Sequence, residues 1–306
     1  MTKNEIQEIF DIKGLGKVQT IKKSTIGFSN TIQFINTNFV LKSSQEHRNK
    51  LSKESDLLKF YESSLPVPRV IYSDFSKNKF NCDFILMDLI GGKSVYQIWS
   101  ETCPDNRKEI IKRITDYLKT INNSRISSLN KYFDIPNSWK SFMQDKFKKV
   151  LLKQRELHIF ESQLLDELEN YFHNNVFVFD EEVIKPTYWD VHFDNFITRD
   201  SKVIGVIDLE SVEYLSIDYA LLSIKRMSEI PKEYASEEFE AKVVDSDYKE
   251  IYAYFKEFYP QAFNFKYIDK RIDIYSIIYD LEILLRFPKA QDRIERVQND
   301  INKLIS

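Results

Sequence analysis

The residues from 195 to 208 constrain the fold more than any other stretch of this 306-residue chain. Two segments rich in β-branched and aromatic residues, Phe196–Thr198 and Val203–Ile207, flank the polar turn Arg199–Lys202. This arrangement is typical of a β-hairpin. Asn195 directly precedes the first strand, and Asp208 directly follows the second. The hairpin therefore predicts that these two polar residues lie close together.

Asp190 precedes Asn195 by five residues, so that an acid, an amide and a second acid follow one another along the chain. Phosphoryl transfer to a hydroxyl uses this set. One carboxylate accepts or orients the proton of the attacking hydroxyl, while an Asn and an Asp hold the Mg²⁺ ions that bridge the nucleotide phosphates. We therefore expect Asp190 to be catalytic and Asn195 and Asp208 to be metal ligands.

The motif Asp-x-His-x-x-Asn that begins at Asp190, the hairpin, and the motif Ile-Asp-x-Glu that contains Asp208 resemble the aminoglycoside phosphotransferase and choline kinase superfamily. The resemblance implies an α+β, two-lobed protein-kinase-like fold, with a small β-rich N-terminal lobe and a larger, mainly helical C-terminal lobe. That family usually has His-Gly-Asp at the first motif, whereas this chain has Tyr188-Trp189-Asp190. The catalytic acid and both metal ligands are nevertheless present.

Positions 21–35 read as a strand, a small turn and a second strand. The turn contains Gly27, Ser29 and Asn30, which resemble the family's Gly-x-Ser-Asn loop over the nucleotide phosphates. Backbone amides at such a turn can approach phosphate oxygens. An ordinary hairpin turn fits a single glycine equally well. The position of the turn, just upstream of a strand that ends in a lysine, favours the phosphate-binding role.

Lys42 ends that short apolar strand, as does the kinase lysine that binds the α- and β-phosphates. The next predicted helix, His47–Tyr61, carries Glu54 among leucines at helical spacing. We expect Glu54 to pair with Lys42, as in kinases. Glu46 and Asp56 are alternative partners, and a solvated surface side chain is the alternative role for Glu54.

The apolar run Phe84–Gly92 ends in two glycines, which suits a strand that passes into a connection between lobes. An ordinary core strand is the alternative. We expect backbone groups of Met87, Asp88 and Leu89 to contact the adenine edge, because a purine needs an apolar environment and a few well-placed polar groups.

Helical patterns dominate after residue 92. Apolar residues recur with a period near 3.6, which predicts amphipathic helices that bury one face. The predicted helical segments are Arg107–Asn122, Trp139–His158, Phe160–His173, Ile217–Arg226, Tyr248–Phe258 and Arg271–Arg286. We therefore expect a nucleotide-binding lobe at residues 1–90 and a catalytic and acceptor-binding lobe at residues 91–306.

Composition narrows the class of protein further. The chain is 42% hydrophobic, and its 44 basic and 47 acidic residues give a net charge of -3, so binding to nucleic acid has no support. Cys82 and Cys103 have no metal-type Cys-x-x-Cys spacing. Secretory and membrane-spanning apolar segments are not evident. We expect a cytoplasmic monomer or homodimer without a membrane partner.

Two further residues near the motifs have structural interpretations. In the resembling family the histidine that matches His192 orders the catalytic loop, so we expect a buried imidazole with satisfied hydrogen bonds. Asp218 resembles the family's Asp-Leu-Ala helix start, and we expect it to be a helix cap.

The acids after Asp208 bear on the acceptor. Glu210 and Glu213 are expected near the acceptor pocket, and a downstream acidic segment supplies acceptor contacts in the resembling family. Converging carboxylates would suit a multiply charged cation, although such a run is usually a solvated face. The acids of this segment are Glu229, Glu233, Glu237, Glu238 and Glu240.

The leading hypothesis is a kinase that uses ATP or GTP with Mg²⁺ and a small, cationic hydroxyl acceptor, with an aminoglycoside favoured. A kinase of choline, a sugar or another metabolite is the first alternative. A catalytically inactive nucleotide-binding regulator is the second.

Overall fold

A computed structural model describes residues 1–24, 30–45, 50–235, 240–241 and 243–305. Six residues named above lie outside the described residues: Gly27, Ser29, Glu46, Glu237, Glu238 and His47, the start of a predicted helix.

The N-terminal part of the chain forms an antiparallel sheet with the strand order β1-β2-β3-β5-β4. Helix α1 packs against this sheet through Ile6, Ile9 and Phe10. Helix α2 lies between β3 and β4 in the chain and buries its leucines in a second core. The elements are α1 (Lys3–Lys13), β1 (Ile21–Lys23), β2 (Thr31–Ile35), β3 (Phe39–Ser44), α2 (Lys50–Tyr61), β4 (Val70–Asp74) and β5 (Asp83–Asp88).

Helices dominate the rest of the described chain. They are α3 (Val95–Ile98), α4 (Pro104–Asn122), α5 (Trp139–Leu157), α6 (Ser162–Asn175), α7 (Leu221–Glu229), α8 (Ile251–Phe258), α9 (Pro260–Phe263), α10 (Ile268–Arg286) and α11 (Gln291–Ile305). The six predicted helical segments all contain helices, with ends shifted by a few residues. Four of the described helices, α1, α3, α9 and α11, had no counterpart in the prediction.

Two small sheets complete the C-terminal part. One contains β6 (Lys93–Ser94), β8 (Phe196–Arg199) and β9 (Lys202–Val206), and the other pairs β7 (Ile184–Tyr188) with β10 (Val212–Ser216). The predicted hairpin is confirmed as β8–β9, in which Phe196 pairs with Val206 and Arg199 pairs with Lys202. The sequence patterns did not predict β7 and β10.

Gly92 allows the chain to pass from β5 to β6 in close contact with β8. A Cβ atom at this position would collide with the carbonyl oxygen of Thr198. The glycine is therefore required by a close approach of two backbones.

These observations confirm the α+β, kinase-like fold, with a small antiparallel sheet followed by a larger helical part. Within the described residues, no helix combines the length and the hydropathy that crossing a membrane requires.

Asp218 is not a helix cap, which corrects the prediction from the sequence. Its side chain is fully buried and receives a hydrogen bond from Arg271 Nε at 2.7 Å and one from the Tyr275 hydroxyl at 2.9 Å. Arg271 also donates to the carbonyl oxygens of Val178 and Glu181. Arg271 therefore joins α10 to the segment before β7 and to the segment after β10.

Breaking this buried pair should destabilise the protein strongly. We expect Arg271→Met to lower the free energy of unfolding by about 3–5 kcal/mol, because Asp218 would remain as a buried, unpaired charge. Urea denaturation measures the change. Arg155→Met is the matched control, because within the described part of the chain the ion-pair partners of Arg155 are the exposed acids Asp166 and Glu169. Arg155→Met should lower the free energy of unfolding by less than about 1 kcal/mol. Equal effects of the two variants would contradict this assignment.

Candidate active site

The hairpin places Asn195 and Asp208 beside each other. The amide of Ile207 donates to the carbonyl oxygen of Asn195 at 2.9 Å, so the two ends of the hairpin are in direct contact. Asn195 is buried, and its side-chain nitrogen donates to the main-chain oxygen of Asp190 at 3.1 Å. This bond uses the nitrogen of the amide and leaves its oxygen as the atom that could ligate a cation.

Asp208 has a left-handed backbone conformation, with φ 60° and ψ 54°. A non-glycine residue rarely adopts this conformation, and such residues cluster at functional sites. The conformation ends β9 and starts a short helical turn, Leu209–Ser211. It also directs the Asp208 carboxylate toward Lys42, with Oδ1 2.9 Å from Nζ.

Lys42 is the centre of a charge cluster. Its side chain comes from β3, and its Nζ lies 2.7 Å from Glu54 Oε2 on α2 and 3.7 Å from Glu210 Oε2. Only 5% of Lys42 and 2% of Glu54 are exposed. The structure thus contains the ion pair that the sequence predicted between Lys42 and Glu54.

Helix α2 presents Glu54 to this cluster because its apolar face is buried. Leu51 and Leu58 lie three residues before and four residues after Glu54, so all three share one face of the helix. Both leucines are buried in a core that also contains Ile85 of β5 and many residues of the helical part.

The charges of the cluster perturb one another. Burial disfavours the Lys42 ammonium, but the carboxylates of Glu54, Asp208 and Glu210 outweigh burial and raise the pKa of Lys42. Burial also raises the pKa of Glu54, with Lys42 opposing and Asp208 reinforcing the change. Three carboxylates thus share the one buried ammonium of Lys42, and the exposed Lys50 adds a second positive charge 3.6 Å from Glu210. Carboxylates still outnumber ammonium groups in the cluster.

This cluster could hold a divalent cation. One carboxylate oxygen from each of Glu54, Asp208 and Glu210 lies within 4.8 Å of the others. Oxygen ligands are those that Mg²⁺ prefers, and the excess negative charge would be neutralised by a cation. The donor set therefore fits a magnesium ion, although Glu54 is already engaged by Lys42.

Glu210 and Glu213 make contacts that the sequence did not predict. Glu210 lies 3.6 Å from Lys50 and 3.5 Å from the Asn30 side chain, and Glu213 forms an ion pair with Lys53. Both acids thus contact α2 or the residue before β2, and their expected position near an acceptor pocket stays a prediction. The Asp-x-Glu spacing across a short helical turn was the one signal that pointed to Glu210.

Asp190 lies at the partly exposed edge of the site. Its Oδ2 is 3.7 Å from His192 Nε2. Burial raises the pKa of Asp190, His192 opposes the change, and the nearby carboxylates of Asp208 and Glu210 reinforce it. A carboxylate with a raised pKa is a better proton acceptor than an ordinary one.

The prediction for His192 is wrong in one respect. The Nδ1 atom of His192 is buried, and it has no hydrogen-bond partner among the described residues. The imidazole is therefore not fully satisfied by the protein. Its ring lies 6.5 Å from that of Tyr234, centroid to centroid.

The predicted adenine-binding segment lies at the end of β5. Met87 pairs within the sheet, the Asp88 amide donates to Arg69 O at 3.0 Å, and the Leu89 amide donates to Asn38 O at 2.7 Å. Two of the expected backbone donors are thus engaged by the protein. Ile90 is the next residue, and its amide has no backbone partner within the described part of the chain.

The acids expected to converge on an acceptor have partners of their own. Glu233 lies 3.0 Å from Arg293 and also contacts Arg296, whereas Glu229 lies 4.0 Å from Lys225. Arg226 and Asp280 form a buried bidentate pair beside them. Glu240 is exposed.

The fold and this arrangement of an acid, an amide and a lysine-centred charge cluster define a kinase-type phosphotransferase. Residues 20–243 match the model of the phosphotransferase enzyme family, APH. The chain belongs to this family. It is therefore a phosphotransferase with a hydroxyl group as its acceptor, as the sequence predicted. No curated protein sequence matches the chain.

Solved structures share the fold at low sequence identity. The ternary complex of APH(2″)-IIa with streptomycin and ATP has a TM-score of 0.72 and 14% identity, over 99% of this chain and 97% of that one. The GDP complex of aminoglycoside 2′-phosphotransferase-IIIa has a TM-score of 0.68 and 13% identity, over 100% and 99%. A thermostable mutant of aminoglycoside phosphotransferase APH(4)-Ia with ADP and hygromycin B has a TM-score of 0.64 and 11% identity, over 97% of each chain.

Removing the Lys42 ammonium should destabilise the protein, because the carboxylates of the cluster would lose their buried positive charge. We expect Lys42→Met to lower the free energy of unfolding by about 3 kcal/mol, because Glu54 would remain buried without its ammonium. The double variant Lys42→Met/Glu54→Gln should recover part of this loss, since it removes the buried charge as well. Urea denaturation at neutral pH in the absence of Mg²⁺ measures both. Equal stability of Lys42→Met and wild type would contradict the charge arrangement.

Proposed function

We propose that this protein is a small-molecule kinase that transfers the γ-phosphate of ATP or GTP to a hydroxyl group, with an aminoglycoside as the favoured acceptor. The observation that carries this proposal is the Lys42 cluster. Its Nζ lies 2.7 Å from Glu54 and 2.9 Å from Asp208, and Asp190 stands at the partly exposed edge of the same site. This is the arrangement that phosphoryl transfer by positioning and charge neutralisation requires.

Each residue has a role in binding the donor. Lys42 would bind the α- and β-phosphates, and Glu54 would hold Lys42 in place. Asn195 and Asp208 would hold Mg²⁺, with Glu210 close enough to contribute a further carboxylate oxygen. The ion would neutralise charge on the β- and γ-phosphates.

The predicted phosphate loop would cover the phosphates of the bound nucleotide. Gly27, Ser29 and Asn30 are the residues proposed for this role, and of these the structure describes Asn30. Its side-chain nitrogen lies 3.5 Å from Glu210 Oε2, which places it beside the charge cluster. This position is consistent with a residue that covers the phosphates.

Adenine or guanine would bind at the end of β5. We place the backbone donor at Ile90, because the amides of Asp88 and Leu89 are engaged by the protein. The carbonyl groups of Met87–Leu89 remain candidates for the hydrogen-bond acceptor that contacts the base. The Ile90 side chain lies over Gly205 of β9, where a Cβ atom would be 2.8 Å from Ile90 Cδ1. The glycine thereby brings the nucleotide segment close to the hairpin that carries Asp208.

Asp190 would act on the acceptor. Its carboxylate would accept or orient the proton of the attacking hydroxyl, and its raised pKa suits that task. His192 would contact Asp190 from one side and keep it in place.

The aminoglycoside preference rests on similarity in fold to proteins crystallised with streptomycin and with hygromycin B. The acid-rich segment around Glu233 adds less support than the sequence indicated, since Glu233 is held by arginines. Choline, a sugar or another metabolite is therefore the second candidate acceptor. The inactive-regulator alternative is disfavoured because Lys42, Asp190, Asn195 and Asp208 are all present at one site.

Replacing the proposed proton acceptor tests this function. We expect Asp190→Ala to lower acceptor-dependent turnover at least about 100-fold and to leave nucleotide affinity nearly unchanged. A coupled assay of nucleoside-diphosphate release, run with MgATP and MgGTP against aminoglycosides, choline and amino sugars, gives the rates. Asp194→Asn is the matched control, because Asp194 lies in the same loop and accepts a hydrogen bond from Ser94 at 2.8 Å. Unchanged turnover in Asp190→Ala would exclude the proposed role.

A further inference from the structure

Helix α2 is attached to the catalytic part of the chain by a second set of charges. Lys53 on α2 forms an ion pair with Glu213 on β10. One turn earlier, Lys50 Nζ lies 3.6 Å from Glu210 Oε1. The two lysines thus face two acids that closely follow Asp208 in the chain.

Lys53 is an unusual residue for this position, because only 5% of it is exposed. Lysine is rarely buried unless it is paired. Its ammonium lies over the ring of Phe133, 5.0 Å from the centroid, in addition to its contact with Glu213. Both contacts are made to parts of the chain beyond the N-terminal sheet, so Lys53 ties α2 to the helical part of the protein.

Lys53 and Glu54 are adjacent on α2 and point to different partners. Glu54 contacts Lys42 of β3, in the N-terminal sheet, and Lys53 contacts Glu213 of β10. Neighbouring residues on a helix are separated by about 100° of rotation, so fixing one of them limits the rotation of the other. The Lys53 pair therefore sets where Glu54 lies relative to Lys42.

The charges around Lys53 agree with an anchoring role. Burial lowers the pKa of Lys53, and Glu213 and Glu210 oppose this effect. Lys59, by contrast, lies further along α2 with an exposed side chain, and its ion-pair partner among the residues that the structure describes is Asp56 of the same helix, at 3.9 Å. Among these α2 lysines, the contacts to β10 and to the turn after Asp208 belong to Lys53 and Lys50.

We propose that Lys53 and Glu213 are positioning residues, whose ion pair holds α2 against the strand that follows Asp208 so that Glu54 keeps Lys42 at the phosphate site. This inference rests on the proposed function, because it concerns binding of the nucleotide phosphates. It assigns no contact between Lys53 and substrate.

Nucleotide affinity and helix protection test the inference together. Calorimetric titration with MgATP and MgGTP gives the dissociation constant, and hydrogen exchange of the α2 amides in nucleotide-free protein reports how firmly the helix is held. The variants are Lys53→Met, Glu213→Gln and the charge exchange Lys53→Glu/Glu213→Lys. Lys59→Met is the matched control on the same helix.

We expect Lys53→Met and Glu213→Gln to weaken nucleotide binding about tenfold and to speed exchange in α2, since each removes one partner of an ion pair whose lysine is buried and whose glutamate is partly exposed. The charge exchange should restore most of the nucleotide affinity and most of the exchange protection of α2. Lys59→Met should change neither the affinity nor the exchange. In a Glu54→Gln background, Lys53→Met should cause little further loss of affinity, because it acts through Glu54. A purely structural role would give additive losses instead.

A failure of the positioning role and a failure of the proposed function would give different results. Wild-type affinity and unchanged α2 exchange in Lys53→Met and Glu213→Gln would overturn the positioning role and leave the kinase assignment intact. Additive losses in the Glu54→Gln background would also overturn it. Wild-type protein that binds neither nucleotide would overturn the proposed function, and with it the role of α2 at a phosphate site.

Discussion

The buried ammonium of Lys42 is the charge around which the rest of the site is arranged. A lysine that is 5% exposed loses nearly all of its hydration, and this loss is offset only if carboxylates approach it closely. Those carboxylates come from α2, from the end of β9 and from the helical turn that follows it. The sheet and the helical part of the protein are therefore joined at the point where a nucleotide would bind.

Two buried charge groups of the protein differ in their balance. Asp218 and Arg271 form one carboxylate with one guanidinium, and Arg271 fills its remaining donors with carbonyl oxygens and the Tyr275 hydroxyl. That group is satisfied by the protein alone. The Lys42 cluster sets three carboxylates against one buried ammonium and the exposed Lys50, and a bound metal ion would neutralise the remaining negative charge. The balanced pair stabilises the fold, whereas the unbalanced cluster has the features of a ligand site.

Local patterns in the sequence predicted much of this architecture. The β8–β9 hairpin and the leucine face of α2 are each formed by contiguous residues, so their approximate positions could be predicted from local patterns. The Lys42–Glu54 pair was predicted from the resemblance to kinases. The β7–β10 pairing could not, because it joins segments that are distant in the chain and β7 contains a proline and a lysine among its five residues.

The contacts of Asp218 and Glu213 could not be predicted, for a common physical reason: both depend on residues that are distant in the chain. Asp218 has a sequence context typical of a cap, and only the fold brings in Arg271, 53 residues later. The pairing of Glu213 with Lys53 was not predicted either, because it depends on how β10 lies relative to α2. Side-chain direction after Asp208 follows from a left-handed residue and a short helical turn, neither of which has a periodic signal.

Phosphorus NMR of a reaction mixture tests the central claim most directly. The protein would be incubated with MgATP or MgGTP and one acceptor at a time from aminoglycosides, choline and sugars. The account predicts a new phosphomonoester signal that depends on the acceptor and is absent with Asp208→Asn. Release of inorganic phosphate alone, or an ester signal that persists in Asp208→Asn, would contradict it.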